Sequence, residues 1–226
     1  MSEHMFYTPD KGRQMHSQLD IFAAARNLQR EQLERSGDLP ADFFIVPHFI
    51  SSAEERELIA AIDAAEWSSV LKRRVQQYGY RYDYKARAVS DRDRIGEIPQ
   101  WAEPLAERLV ACEYFAKTPD QVIVNEYEPG QGISAHTDRT TCFGPVIASL
   151  SLGSNVVMDF TDGHDRSGSV VLPRCSLLVL TGDSRSTWRH GIAQRRRDIV
   201  NSTTIQRARR LSLTFRTVLL SDAPPQ

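Results

Sequence analysis

The chain has 226 residues, of which 41% are hydrophobic and 25% charged, and its net charge is -1. That length is within the range of one domain, and the composition is that of a globular chain with a real core, which excludes a disordered or fibrous protein. The near-neutral balance excludes a polycation, so attraction to nucleic acid has to come from local basic patches, while three cysteines without CxxC spacing exclude a disulfide framework and a thiolate zinc site.

Residues 1–39 are polar and read as an appendage. A helix is expected there from Gln14 to Arg35, on the apolar positions Leu19, Ile21, Phe22, Ala25, Leu28 and Leu33, with a stop at Gly37 and Pro40. The opening Met-Ser-Glu-His lacks a basic and apolar signal sequence, and no stretch reaches the length of a membrane span. A cytoplasmic monomer that does not engage a membrane is therefore expected. The main domain is expected over residues 40–220, followed by a short tail at 221–226.

Within that domain, Ser52-Ala-Glu-Glu55 predicts a capping box that opens a helix through Leu58, Ile59 and Ile62. A second helix is expected between Pro99 and Ala111, with Trp101, Leu105 and Leu109 facing inward. The pattern then changes to short β-like runs: 122–124, 146–152, 156–160, 170–172, 177–180 and 211–219. They are punctuated by Pro-Gly, Gly-Ser, Asp-Gly and Gly-Asp pairs. Helices followed by many short strands predict an α+β domain with a β-sandwich or barrel core.

The residues that carry chemistry lie among these strands. His136 and Asp138 are two apart, so on an extended segment both side chains point the same way and can share one ion. His190 is distant in sequence and only folding can bring it near. Two histidines and a carboxylate, with no thiolate, favour Fe(II) over a structural zinc. From Arg210 to Arg216 the chain alternates: Leu211, Leu213 and Phe215 suit a core, while Arg210, Ser212, Thr214 and Arg216 share the other face. Two guanidiniums on a buried face require an anion, and a dicarboxylate supplies one at each end. Asn125 and Tyr127, also two apart, can add an amide and a phenol to that pocket. An exposed strand with solvated arginines is the competing reading.

The stretches Asn125-x-Tyr127, Pro129-Gly130, His136-x-Asp138, Ser184-Arg185, His190-Gly191-Ile192 and Arg210-x-Ser-Leu-Thr-Phe-Arg216 together resemble the AlkB family of Fe(II)/2-oxoglutarate dioxygenases. The resemblance covers roughly residues 40–220. It implies a double-stranded β-helix (jelly-roll) core with flanking N-terminal helices, and Fe(II), 2-oxoglutarate and O2 as reactants. It assigns His136, Asp138 and His190 to iron, Arg210 and Tyr127 to the distal carboxylate of 2-oxoglutarate, and Arg216 and Asn125 to the end near the metal. Ser212 stands in the same pocket, where the DNA-repair members carry Asn. Thr140 stands where those members carry an acid. Ser149-Leu-Ser-Leu-Gly-Ser154, Val157-Met-Asp-Phe160 and Leu71-Lys-Arg-Arg74 resemble instead the branch that hydroxylates a modified wobble uridine in tRNA.

For the substrate face, Tyr78, Tyr80, Tyr82 and Tyr84 alternate, which on an extended segment puts all four rings on one side. Residues 71–90 hold six basic side chains against one acidic. Lys72, Arg73, Arg74, Tyr78, Tyr80 and Tyr82 are therefore assigned to nucleic acid, tRNA or single-stranded RNA or DNA, with Arg139 added beside the metal aspartate. The same alternation also fits a hairpin packed on the core. The functional expectation is hydroxylation of an alkyl group on a modified base. The rivals are an oxygenase acting on protein or lipid, and a non-catalytic nucleic-acid-binding protein of the same fold.

Overall fold

The computed structural model describes residues 35–69 and 71–220. The helix expected from Gln14 and the tail at 221–226 lie outside the described residues, apart from Arg35 itself. In chain order the elements are β1 (Arg35–Gly37), β2 (Phe43–Val46), α1 (Ser52–Asp63), β3 (Val75–Tyr78), α2 (Glu103–Ala111), β4 (Gln121–Tyr127), β5 (Ile133–His136), β6 (Phe143–Leu152), β7 (Val156–Thr161), β8 (Ser167–Leu172), β9 (Leu177–Leu180), α3 (Gly182–Ser186), β10 (Arg189–Ile192), β11 (Arg197–Val200), β12 (Thr203–Gln206) and β13 (Arg210–Val218). No helix among the described residues is long and apolar enough to cross a membrane.

The strands form a six-stranded sheet in the order β2-β9-β6-β13-β4-β3 and a five-stranded sheet in the order β1-β8-β7-β10-β5, with β11-β12 as a separate hairpin. This is the α+β, double-stranded β-helix arrangement that the motifs implied. Every named strand pair is antiparallel, so alternation along each strand sorts its two faces. Leu211, Leu213 and Phe215 of β13 join Val122, Val124, Leu150 and Leu177 in one apolar cluster, capped by Leu58 and Ile62 of α1 and Leu105 and Leu109 of α2. The opposite face of the six-stranded sheet lines a cavity with Arg210, Ser212, Thr214 and Arg216. Both faces of β13 are covered, which is why its row of residues is buried almost without interruption.

Three local differences from the sequence reading have physical causes. The capping box lies one residue earlier: the Ser51 hydroxyl accepts from Glu54 N at 3.2 Å, and the Glu54 carboxylate accepts from Ser51 N at 2.8 Å. Glu55, the partner the sequence suggested for Ser52, is buried and accepts instead from Gly153 N at 2.8 Å and from Arg174. The tyrosine run is not one extended segment. β3 stops at Tyr78 because Gly79 takes φ +75, where an added Cβ would lie 1.8 Å from Asp120 O. Beyond it the Asp83 carboxylate accepts from Lys85 N and Ala86 N and folds the chain into a turn. Finally, β1 pairs with β8 through Arg35, Ser36 and Gly37, so residues that the sequence assigned to the appendage edge a sheet.

Two ion clusters tie the periphery to the sheets. Glu126, buried in β4, accepts from Arg74 and Arg209, and Arg209 also grips Asp63 at the end of α1. Asp198, fully buried at the root of the β11-β12 hairpin, accepts two bonds from Arg207 at 2.7 Å, one from Arg195 at 2.6 Å and one from Val157 N at 3.2 Å. Burial pushes the Asp198 carboxyl up, but Arg207 and Arg195 outweigh it and hold it below its ordinary value. Such a group contributes stability above the unfolded carboxyl pKa of about 3.9, and the contribution fades as pH falls further. Asp198→Ala should lower stability by about 3–5 kcal/mol, because it strands the buried Arg207 guanidinium. A urea midpoint near neutral pH checks this, and the gap between variant and wild type should narrow as the wild type is acidified below that pKa.

Candidate active site

The antiparallel register of β10 against β5 sets His190 directly opposite His136, so two residues far apart in sequence become cross-strand neighbours. Their rings lie 4.6 Å apart, centroid to centroid. Asp138 follows two residues after His136, and one ligand atom from each of the three lies within 4.8 Å of the others. His136 Nδ1 is 2.9 Å from Ser134 O; that bond puts the proton on Nδ1 and leaves the Nε2 lone pair for a metal. Thr137 turns the other way and donates to Trp188 O at 3.0 Å, which ties the segment to the start of β10.

The electrostatics suit a cation. Burial pushes the Asp138 carboxyl up, but Arg216, His190 and His136 outweigh it and hold it at about 2. Burial pulls His190 down to about 4, so the ring is neutral near pH 7 and its nitrogen is available as a ligand. Arg216 Nη2 donates to Asp138 Oδ1 at 2.5 Å, while Oδ2 is left 3.7 Å from His190 Nε2. One carboxylate oxygen is thus held by the guanidinium and the other faces the histidines.

The dicarboxylate pocket follows from the pairing of β13 with β4, where Arg210 opposes Tyr127, Ser212 opposes Asn125 and Arg216 opposes Gln121. All five residues that the sequence assigned to the cosubstrate line one cavity of about 290 Å³ with the three metal-type residues. Arg210 is 2% exposed; its Nη2 donates to Ser151 Oγ at 2.8 Å, but Nε and Nη1 have no partner. Burial lowers its pKa to about 10, which still leaves it charged near neutrality. Unsatisfied N–H groups on a buried cation are costly, on the order of 1–3 kcal/mol each, and an anionic acceptor in the cavity relieves that cost. The Arg216 Nε is likewise unpaired. Ser212 shares a 2.8 Å hydrogen bond with Ser149. The donor set therefore fits a dicarboxylate held beside a divalent metal.

Other assigned residues separate. Arg73 lines the cavity, donates to Asn125 Oδ1 at 2.9 Å and stands 5.8 Å from the Tyr127 ring. Tyr82 and Arg139 also line it, and Tyr84 packs edge-on against Tyr82 at 5.2 Å. Tyr78 packs instead against Trp101 at 5.6 Å, Arg74 is spent on Glu126 and Trp67, and neither Tyr80 nor Lys72 reaches the cavity. Sequence reasoning gave no role to Arg185 or Gln121. Arg185 is buried in α3 and donates to Asp138 O at 2.7 Å, Phe143 O at 3.1 Å, Gly144 O at 3.2 Å and Arg139 O at 3.3 Å, which fixes the loop that follows His136. Gln121 accepts from Arg216 Nη1 at 3.2 Å. The Ser184-Arg185 pair was visible as a motif, but nothing in its spacing points to four carbonyls.

A family model described as the 2OG-Fe(II) oxygenase superfamily matches residues 42–216. An Arabidopsis thaliana protein named "Alkylated DNA repair protein ALKBH8 homolog" is 34% identical, over 93% of this chain and 69% of its own length. A Mus musculus protein named "tRNA (carboxymethyluridine(34)-5-O)-methyltransferase ALKBH8" is 36% identical over 88% of this chain, which spans only 34% of that relative. Among solved structures, one titled "The structure of OsALKBH1" superposes with a TM-score of 0.61 at 18% identity, covering 80% of this chain and 98% of that one.

Arg185→Leu should leave several loop carbonyls unpaired and loosen Asp138. The expected result is a lower thermal midpoint and a metal affinity reduced about 10–100-fold. A spectroscopic Co(II) titration reads the second effect directly, and an unchanged affinity would remove Arg185 from the positioning of the metal loop.

Proposed function

The chain belongs to the 2OG-Fe(II) oxygenase superfamily and to its AlkB-type members, and from that membership we propose that it hydroxylates an alkyl group on a modified nucleobase, with a tRNA uridine as the favoured target. It is an enzyme that uses Fe(II), 2-oxoglutarate and O2. In this reading His136, Asp138 and His190 hold the iron. Iron bound with 2-oxoglutarate and O2 supplies a C–H oxidant, with succinate and CO2 as coproducts.

The protein's own part is binding, orientation and exclusion of water. Arg210, with unpaired N–H groups in the cavity, would hold the distal carboxylate, with Tyr127 and Ser212 lining the same pocket. Arg216 holds Asp138 in one rotamer and keeps its Nε for the cosubstrate, and Asn125 is steadied by Arg73. The single observation that carries the assignment is the buried, unpaired Arg210 in the same cavity as the three potential ligands. The nucleobase reading is supported by the mouth of that cavity, where Tyr82, Tyr84, Arg87 and Arg139 offer ring faces and unpaired cations suited to a base and its phosphate. The relatives' printed names point to tRNA and to alkylated DNA. Thr140 and Ser212, where repair-type members carry an acid and Asn, favour the tRNA side. We place the active protein in the cytosol as a monomer, with the oxygenase domain starting near residue 35 and ending near 220.

Incubation of the pure protein with iron, ascorbate, 2-oxoglutarate and either tRNA or alkylated DNA, followed by nucleoside mass spectrometry, tests the substrate. Gain of one oxygen on a modified uridine is expected. Formaldehyde release from alkylated DNA with tRNA unchanged would transfer the activity to dealkylation, and succinate formed only with protein or lipid added would remove nucleic acid altogether. Asp138→Asn, which keeps an acceptor oxygen for Arg216 Nη2, should abolish succinate formation while the thermal midpoint changes little, whereas Asp138→Ala also strands Arg216 and should lower the midpoint. Arg210→Leu should raise the 2-oxoglutarate requirement by an amount equivalent to about 2–5 kcal/mol, with metal affinity nearly unchanged.

A further inference from the structure

A base that reaches the iron is still attached to a chain, and that chain needs a surface. We propose that the polar groove beside the iron cavity, continued by the β11-β12 hairpin, holds the sugar-phosphate backbone of the single strand that carries the reacting base. This rests on the nucleic-acid reading above and gives it a location.

The groove, of about 520 Å³, shares Arg73, Ile133 and His136 with the iron cavity, so the two hollows have a wall in common. The groove is lined in part by Gly130, Gln131 and Gly132. A Cβ at Gly132 would lie 2.1 Å from Ile192 O, so glycine is required for the close approach of this segment to the end of β10. Lys72 and Gln194 stand at its rim. A Cβ at Gly130 would lie 3.7 Å from the Arg196 Cγ, so the stem of Arg196 passes beside Gly130 and brings the hairpin next to the groove. The hairpin adds a second hollow lined by Arg195, Arg196, Arg197, Ile199 and Gln206. Neither hollow is lined by an acidic residue.

The accounting of charge distinguishes this track from an ordinary solvated surface. Arg195 and Arg207 are neutralised by Asp198, and Arg74 and Arg209 by Glu126 and Asp63. Lys72, Arg196 and Arg197 form no ion pair among the described residues. Asp198 is at the hairpin root and bonds inward, so Lys72 on the groove and Arg196 and Arg197 on the hairpin are left without an acidic partner next to the iron cavity. Ile199, 68% exposed, adds apolar surface beside them, suited to a ribose or the face of a base. Backbone phosphates are the chemistry that complements such a set of unpaired cations.

The test is anisotropy of fluorescently labelled oligouridine against the full chain over a salt series, with thermal midpoints to establish that each variant folds. Arg196→Gln/Arg197→Gln should weaken binding roughly tenfold at low salt, and the log-log salt slope should fall by about 0.7 for each cation removed. Lys72→Gln should lower the slope by one such step. Arg56→Gln/Arg92→Gln removes the same charge from exposed positions that form no ion pair among the described residues and line none of these hollows, and should leave affinity and slope near the wild-type values. Equal losses in the two double variants would overturn the track, since net charge alone would then explain binding. Wild-type binding that persists with an unchanged slope in the Arg196/Arg197 variant would overturn the track and leave the nucleic-acid reading standing. A wild-type protein that does not bind oligouridine at any salt would sink the track, and a mass-spectrometric assay in which neither tRNA nor alkylated DNA is modified would independently sink the nucleic-acid reading.

Discussion

The register of β13 is the constraint on which the site depends. The strand is paired along both edges, Arg210 to Arg216 against Tyr127 to Gln121 on one side and Leu211 to Arg216 against Leu152 to Ile147 on the other. Its odd positions fill the apolar cluster and its even positions face the cavity. A slip by one residue would drive two guanidiniums into that cluster and leave leucines facing a carboxylate. The apolar side therefore fixes the polar side: burying Leu211, Leu213 and Phe215 leaves Arg210 and Arg216 no direction but inward. A fold organised this way can hold an unpaired buried cation, because the free energy that opposes it is met by the packing on the other face of the same strand.

The same logic explains which parts were legible in the sequence. The alternation from Arg210 to Arg216 and the His136/Asp138 pair announce themselves, because each needs only a period of two. The nearness of His190 needs β10 to pair with β5, and no local pattern states that. The tyrosines misled for a comparable reason. Their spacing is that of a strand, but Gly79 at φ +75 ends the strand after the first ring, so Tyr78 joins Trp101 while Tyr82 and Tyr84 move to the cavity mouth. Arg74 carries the same formal charge as Arg73 one residue away, yet one is neutralised by Glu126 and the other bonds Asn125. Sequence shows charge, and only the fold shows whether it has been spent. Arg185 is the extreme case, since its partners are carbonyl oxygens that no side-chain pattern records.

Charge is accordingly divided into two populations. Glu55, Glu126 and Asp198 are buried acids matched by arginines, and they tie α1, β4 and the hairpin into one framework. Around the cavity the balance is reversed: Arg73, Arg87, Arg139, Arg210 and Arg216 face it with Asp138 as the one carboxylate. Stability is drawn from the first population and reactivity from the second. Changes to either can then be read separately, one in unfolding and the other in turnover.

The lock that Arg216 places on Asp138 has a consequence for metal choice. A carboxylate already fixed in one rotamer, and a histidine already fixed in one tautomer by Ser134, offer the same three donors to any divalent ion of similar size. Neither lock depends on the identity of the ion. Nitrogen and oxygen donors bind nickel and cobalt more tightly than ferrous iron by their intrinsic order. A scaffold prepared in advance for iron is thus equally prepared for its redox-silent competitors, and the occupant is decided by the supply of metal in the cell.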